Sequence, residues 1–387
     1  MDMDVMYDCC AGLDVHQGNV VACILHGKRT STRPKAELRT FGTTQSQLNQ
    51  LADWLKSFDC QIVAMESTGV FWKPIWHVLA DQFNIILANP QRIKGIPGHK
   101  TDKKDARWIA KLLRLDLIPA SFVPDETIQD LRDLTRARKH LIESRNKQKN
   151  RIHQVLQCGG IKLTTYIQDV FGKSGRNMLD LLVNGEVITP EIVKPLVYTT
   201  LKKKVPQIVD AMNGFMRGHH RFMLHEILTI MDAFDASIAD YESQIDILLQ
   251  QYEAEVQLLT NFTGIQRESA GIILAEIGTD MSVFEDERHL ASWAGLCPGN
   301  HESAGKRYSS KINHGNAYLK RILCQASWAA SRSKNGDLGN FFRQKSRQRG
   351  PKKAAVATAH RMLRQIYFAL LNYQEAKKRT LAATSVP

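Results

Sequence analysis

Two aspartates three residues apart, Asp102 and Asp105, stand in the stretch Lys100-Thr101-Asp102-Lys103-Lys104-Asp105-Ala106-Arg107. Ala106, Ile109, Ala110, Leu112 and Leu113 continue at helical spacing, which predicts a helix with both acids on one face of its first turn. Helix capping alone would account for an isolated pair, since N-terminal N–H groups favour carboxylates. Two further acids alter that reading: Asp14 and Glu66 each close an apolar run, the second being Gln61-Ile62-Val63-Ala64-Met65-Glu66. Strand-end acids that converge with a helix-start pair would form a cage for a hard cation. Mg²⁺ takes oxygen ligands and retains part of its water, which suits a few carboxylates and the phosphate oxygens of a substrate. One or two such ions polarise a phosphoryl group and stabilise attacking and leaving oxygens, whereas four acids without metal repel one another.

The elements around these acids alternate. Two strands within residues 8–26, joined at His16-Gln17-Gly18-Asn19, put Asp14 at the end of the first. A strand near Ala36–Phe41 follows, then a helix from Ser46 to Phe58 with Leu48, Leu51, Trp54 and Leu55 on one side. The strand ending at Glu66, a helix near Trp72–Phe83 and a strand at Asn84–Asn89 complete an α/β unit with a mixed sheet flanked by helices. Beyond it the pattern is all-α. A helix from about Thr127 to Gln157 and another from His219 to Leu259 have seams of coiled-coil type, suited to an antiparallel hairpin or a dimer contact. Between them, residues 159–218 read as short helices around Pro190, Pro195 and Pro206, with a basic knot at Lys202-Lys203-Lys204. From Thr260, two short helices around Gly264 resemble a helix-hairpin-helix, a turn that offers backbone N–H groups to phosphate. A glycine- and hydroxyl-rich loop, 295–307, and two closing helices complete the chain. The boundaries are 1–120, 121–258 and 259–387.

With 52 Lys and Arg against 39 Asp and Glu, the net charge of +13 points to a polyanionic partner, most simply nucleic acid. The cations cluster. Arg132, Arg136, Arg138, Lys139, Arg145, Lys147, Lys149 and Arg151 face two acids, Asp133 and Glu143, on the first long helix. Lys306 and Arg307 follow the loop, and Arg343, Lys345, Arg347, Arg349, Lys352 and Lys353 lie in a stretch whose one acid is Asp337. Such rows suit a phosphate backbone, although a solvated helix face has the same composition. The seven cysteines form no C-x-x-C pair and read as reduced thiols, neither disulfides nor a zinc site. No apolar run of about eighteen residues spans a membrane, and Met1-Asp2-Met3-Asp4 is no signal-peptide start, so a cytoplasmic protein is expected.

Leu13-Asp14-Val15-His16, Met65-Glu66-Ser67-Thr68-Gly69 and the Asp102–Asp105 stretch resemble the signature blocks of the DEDD insertion-sequence transposases, relatives of the pilin-gene invertase. Gly264-Ile265, Ala275-Glu276-Ile277-Gly278, Ala294-Gly295-Leu296-Cys297-Pro298 and Glu302-Ser303-Ala304-Gly305-Lys306 are similar to that family's C-terminal transposase domain. The resemblance implies a RuvC-like, RNase H-like first domain in which Asp14, Glu66, Asp102 and Asp105 bind Mg²⁺. It further implies that Ser303 attacks the DNA phosphodiester and holds the strand as a phosphoserine ester. Ser303 precedes Ala304 where the family often has glycine, Ser309 and Ser310 are rival hydroxyls, and His16 and His301 flank the implied site. The implied partners are donor and target DNA, a non-coding bridge RNA that pairs with both, and further copies of the chain as a dimer or tetramer. Two other functions fit the same residues: a junction nuclease in which metal-bound water attacks, and a non-catalytic nucleic-acid scaffold.

Overall fold

A computed structural model describes residues 5–31, 33–67, 69–88, 102–298, 301–303, 306–309, 312, 314–334 and 336–384; the side chains of 102–104, 301–303, 306–309 and 381–384 lie outside the description. The chain divides into two compact units at Val123/Pro124.

The first unit is built on a mixed sheet of five strands in the order β3-β2-β1-β4-β5. β1 (Cys9–Val15), β2 (Asn19–His26) and β3 (Lys35–Gly42) form an antiparallel meander, while β4 (Ile62–Glu66) and β5 (Asn84–Ala88) continue parallel to β1. This is the strand order of an RNase H-like sheet. β1 and β2 are apolar at nearly every position because both faces are covered. Ala11, Leu13, Val15, Val63 and Met65 pack toward α1 (Gln45–Ser57) and α2 (Trp72–Leu79). Cys10, Val21, Cys23, Ile62 and Ala64 pack on the other face against Ala106, Ile109, Ala110 and Leu113 of α3 (Asp102–Arg114). β3 is the exposed edge, where Lys35, Glu37 and Arg39 discourage pairing with another sheet.

The second unit is helical. α4 (Glu126–Cys158) starts at Asp125, whose carboxylate accepts from the Ile128 N–H at 2.9 Å. It lies against α8 (Gly218–Leu249). Arg138 pairs with Glu242 and Arg145 with Asp235, so sequence numbers rise on one helix as they fall on the other, and the two run antiparallel. The long seams thus meet within one chain. The second helix is shorter than its pattern predicts: it stops at Leu249, a 3-10 turn spans Gln250–Tyr252, and α9 (Glu253–Thr260) follows. Ile230, read as part of the seam, is 43% exposed.

At the far end of the hairpin, α5 (Lys173–Asn184), α6 (Pro190–Val193) and α7 (Val205–Met212) form a small lobe. Its core joins Met178, Leu179, Leu182, Ile208 and Met212 to Ile152, Val155 and Leu156 of α4 and Leu224 and Leu228 of α8. Beyond α9 come α10 (Arg267–Ile277), α11 (Glu287–Trp293), the β6–β7 hairpin (His301–Ser303 and Lys306–Ser309), α12 (Ala317–Ser331), α13 (Asp337–Arg349) and α14 (Pro351–Thr384). Two helices do flank Gly264, but its φ of +98° serves packing: a Cβ there would lie 2.3 Å from the Ala326 carbonyl oxygen of α12. All seven cysteines are free thiols, and burial pushes Cys10 up to about 12 and Cys23 up to about 11. Among the described residues no helix is long and apolar enough to cross a membrane.

Candidate active site

Asp14 is the penultimate residue of β1 and Glu66 the last of β4. These strands pair in parallel with Leu13 opposite Met65, and the same offset brings Asp14 alongside Glu66. Neighbouring strands lie about 4.8 Å apart and alternate residues share a face, so both acids lie on the face covered by α3. Asp14 is 8% exposed, and Nε2 of His16, in the turn beyond β1, is 3.2 Å from its Oδ2.

α3 descends along β1 from the acid end. The Cys10 thiol donates to the Ala110 carbonyl at 3.5 Å, and a Cβ on Gly12 would lie 2.3 Å from both the Ala106 oxygen and the Ala110 nitrogen. Two strand residues and one helical turn cover similar distances, about 6.7 and 5.4 Å. One step further along β1, Asp14 therefore comes level with the first turn of α3, which bears Asp102 and Asp105. Arg114 anchors the opposite end of the helix: buried to 4% exposure, it donates to the carbonyls of Tyr7, Gly27 and Lys28. Fold and sequence thus bring the backbone positions of all four acids to one end of one sheet face.

Carboxylate oxygens are the donors that Mg²⁺ or Mn²⁺ takes, so the residue types fit a hard divalent ion. Among the described residues no three His, Cys, Asp or Glu stand close enough to hold one. The Asp102 carboxylate lies outside the described side chains.

Ser303 belongs to the second unit. The sequence reads as a loop here, yet the backbone forms a β-hairpin in which Ser303 pairs with Lys306 across the two residues Ala304-Gly305. Its side chain, those of His301, Lys306 and Arg307, and all of Ser310 lie outside the description. The hairpin stem is closed by a Pro298–Ile312 bridge and by Gly315 against Gly295, where an added Cβ would lie 2.2 Å from the Gly295 nitrogen. Asn316 then caps α12 by accepting from the Tyr318 and Leu319 N–H groups, each at 3.0 Å.

The same Asn316 donates from Nδ2 to Oε2 of Glu276 at 2.6 Å, revealing a cluster that the sequence reading missed. Glu276 is fully buried on α10, and Arg136 grips it through two bonds of 2.8 and 2.7 Å. Arg132 donates to the carbonyls of Ala275 and Glu276. Burial holds the Arg132 guanidinium below its ordinary value; burial opposes the Arg136 charge too, but the bonds to Glu276 carry it above. One carboxylate therefore ties α4 and α10 to the foot of the Ser303 hairpin. The available signal was an acid inside the apolar run Ile272-Ile273-Leu274-Ala275-Glu276-Ile277.

Part of the first basic row makes ion pairs within the unit. Arg132 and Arg136 serve Glu276; Arg138 pairs with Glu242 and Glu268, Arg145 with Asp235, and Lys139 with Glu143 at 3.3 Å. These side chains keep part of their surface exposed while they pair. Arg343 is likewise engaged, donating to the Ser331 and Ser333 carbonyls behind α12. The remaining cations differ: Lys147, Arg151, Arg347, Arg349, Lys352 and Lys353 are exposed, while Lys149 and Lys345 lie partly buried over the rings of Phe171 and Phe341.

Comparison with known proteins gives two family matches. A DEDD transposase model of the IS110 type, described as "Transposase", covers residues 11–159, and one described as "Transposase IS116/IS110/IS902 family" covers residues 256–343. The transposase for insertion sequence element IS1111A of Coxiella burnetii is 25% identical over 300 residues, 75% of this chain and 71% of the relative. A probable family 20 transposase of Pseudomonas aeruginosa is 25% identical over 333 residues, 84% of this chain and 87% of the relative. Among solved structures, Thermus thermophilus RuvC matches 29% of this chain and 99% of its own, at 11% identity and a TM-score of 0.23.

Proposed function

The chain belongs to the IS110-type insertion-sequence transposases, and from that premise we propose that it cuts and rejoins DNA at a carboxylate-held Mg²⁺ centre, with Ser303 as nucleophile. The observation that carries the reading is the register of Asp14 beside Glu66 on the sheet face that the Asp102–Asp105 turn overlies. When bound, the metal supplies Lewis-acid polarisation of the scissile phosphate.

Asp14, Glu66, Asp102 and Asp105 would hold the ion, and His16 would orient Asp14 through the contact already formed. A neutral serine hydroxyl is a weak nucleophile, so Ser303 acts where a base takes its proton, a transfer that a nearby cation would ease by lowering the hydroxyl pKa. Its Oγ forms a bond to phosphorus as the bond to one sugar oxygen breaks, and that oxygen leaves with a proton. A strand hydroxyl later attacks the phosphoserine, frees Ser303 and restores a phosphodiester without ATP. The position of Ser303 at the end of its strand, on a hairpin whose foot Glu276 braces, suits an attacking group.

In this reading the exposed cations Lys147, Arg151, Arg347, Arg349, Lys352 and Lys353, together with Lys149, Lys345, Lys306 and Arg307, grip backbones of donor and target DNA and of a bridge RNA whose pairing selects the sites. Two or four copies handle the strands, in the cytoplasm. A second reading, water as nucleophile, draws on the fact that all four acids belong to the first unit.

One experiment separates them. Wild-type protein, Mg²⁺, element-end DNA and RNA from the element's flank are resolved on a denaturing gel. A protein–DNA adduct that Ser303→Ala abolishes, with DNA binding intact, is the expected result. Cleavage without adduct that persists in Ser303→Ala supports water, and Asp102→Asn with undiminished recombination supports a scaffold.

A further inference from the structure

The two family matches leave residues 160–255 between them. This interval contains the lobe at the end of the hairpin, which has no part in the function above. One of its surfaces has a defined composition. Residues 194–204, Lys-Pro-Leu-Val-Tyr-Thr-Thr-Leu-Lys-Lys-Lys, hold four lysines and no acid.

The segment is pinned to the lobe. Val197 is fully buried, Asn177 donates to the Leu196 carbonyl at 3.0 Å, and the Tyr198 N–H donates to Oγ of Ser174 at 3.2 Å. Tyr198 nevertheless keeps 39% of its surface exposed, and Nζ of Lys173 lies 4.7 Å from its ring centroid. The next residue, Thr199, has φ +51°, a left-handed conformation that a β-branched side chain strains to adopt. That bend starts the 3-10 turn Thr199–Lys204, on which Lys202, Lys203 and Lys204 are all exposed. At about 2 Å per residue, the three lie within roughly 12 Å of Tyr198 along the turn.

Several acids of the lobe engage other groups. Asp180 and Asp232 pair with Arg176, and Asp169 accepts from the Phe171 N–H at 3.0 Å. Glu191 lies one turn before Lys194, and hydrogen bonds from its own backbone N–H and then from the Thr189 hydroxyl hold it below the usual carboxylate range.

Cations beside an outward aromatic ring match the needs of unpaired nucleotides, whose phosphates attract lysine and whose bases offer flat faces for stacking. A duplex buries those faces and would use the lysines alone. We propose that Lys173, Tyr198 and Lys202–Lys204 form a contact for single-stranded nucleic acid, one base stacking on Tyr198 and the flanking phosphates lying along the lysines. The proposal takes from the recombinase reading only that nucleic acid is present.

The test is fluorescence anisotropy of full-length protein, without divalent metal, at several salt concentrations, using one labelled sequence as single strand and as duplex. Tyr198→Ala is expected to weaken single-strand binding about tenfold, Tyr198→Phe to restore it, and duplex binding to stay unchanged. Lys202→Ala/Lys203→Ala/Lys204→Ala is expected to lower the salt dependence of single-strand binding by about two in logarithmic slope. Circular dichroism of each variant guards against unfolding, and the exposed lysine variant keeps the test open should Tyr198→Ala unfold. Single-strand affinity and salt slope equal to wild type in the folded variants would overturn the proposal, as would equal loss for single strand and duplex in Tyr198→Ala. A wrong recombinase reading shows itself separately, as an absent adduct with this binding intact.

Discussion

Asp14 and Glu276 are both buried carboxylates, 8% and 0% exposed, and their surroundings are opposite. Glu276 receives a two-pronged arginine, a second arginine nearby and the amide of Asn316. Asp14 has His16, a second acid on the next strand and two more at the helix start above it. The chain supplies the countercharge for Glu276, which is therefore structural. At Asp14 the fold brings together backbone positions that bear carboxylates, and the proposed function completes them with a cation from outside.

The comparison breaks if the two acids respond alike to neutralisation. The largest stability effect is expected from Glu276→Ala, which leaves two guanidiniums facing a void. Breaking such a buried pair costs about 3–5 kcal/mol, the lower end being apt because Arg136 is one-third exposed. Thermal unfolding of the variant checks this. Asp14→Asn should unfold at or above the wild-type temperature while recombination falls on the order of a hundredfold or more, the several kcal/mol that a metal supplies.

A steric change sharpens the same contrast. Gly12→Val drives a side chain into the α3 backbone, at an expected cost of about 1–3 kcal/mol in stability. Recombination should fall further than stability explains, because the helix that shifts carries Asp102 and Asp105. A variant that melts early yet recombines normally when folded would detach α3 from the site.

The engaged and exposed cations make a milder pair. Arg343→Ala should lower stability by about 1–3 kcal/mol through the carbonyls it leaves unpaired. Arg349→Ala should leave the melting temperature unchanged and reduce the salt slope of DNA binding by about one. The smallest effect is expected at Asp286, which caps α11; hydrogen bonds from the His289 and Arg288 N–H groups hold its carboxyl below the usual range. A depressed folded value means the cap contributes above an unfolded pKa of about 3.9 and is lost as pH falls through the lower folded value. Acid melting curves of wild type and Asp286→Asn should therefore converge below that point.

The first unit was legible because its strands and helices are short and strongly periodic. β1, β2 and β4 end within a residue or so of their apolar runs, and that alone put Asp14 and Glu66 at strand ends. The second unit hid its chemistry in sequence distance. Arg136 and Glu276 are 140 residues apart and Arg145 and Asp235 are 90, so a basic run gave no sign of the acids that fold onto it. The Ser303 hairpin escaped notice because Glu302-Ser303-Ala304-Gly305 has turn composition without flanking alternation. The break at Gln250–Tyr252 lacks the proline or glycine that marks a helix end in sequence.

Under the proposed function Asp14 belongs to a centre that takes an external cation. Its most direct test is a titration with Mn²⁺ as a paramagnetic stand-in for Mg²⁺, following free ion by electron paramagnetic resonance in wild type and Asp14→Asn. Stoichiometric Mn²⁺ uptake by the wild type and strongly weakened uptake by the folded variant are expected. Equal uptake by both proteins, or none by either in the presence of DNA, would contradict that reading.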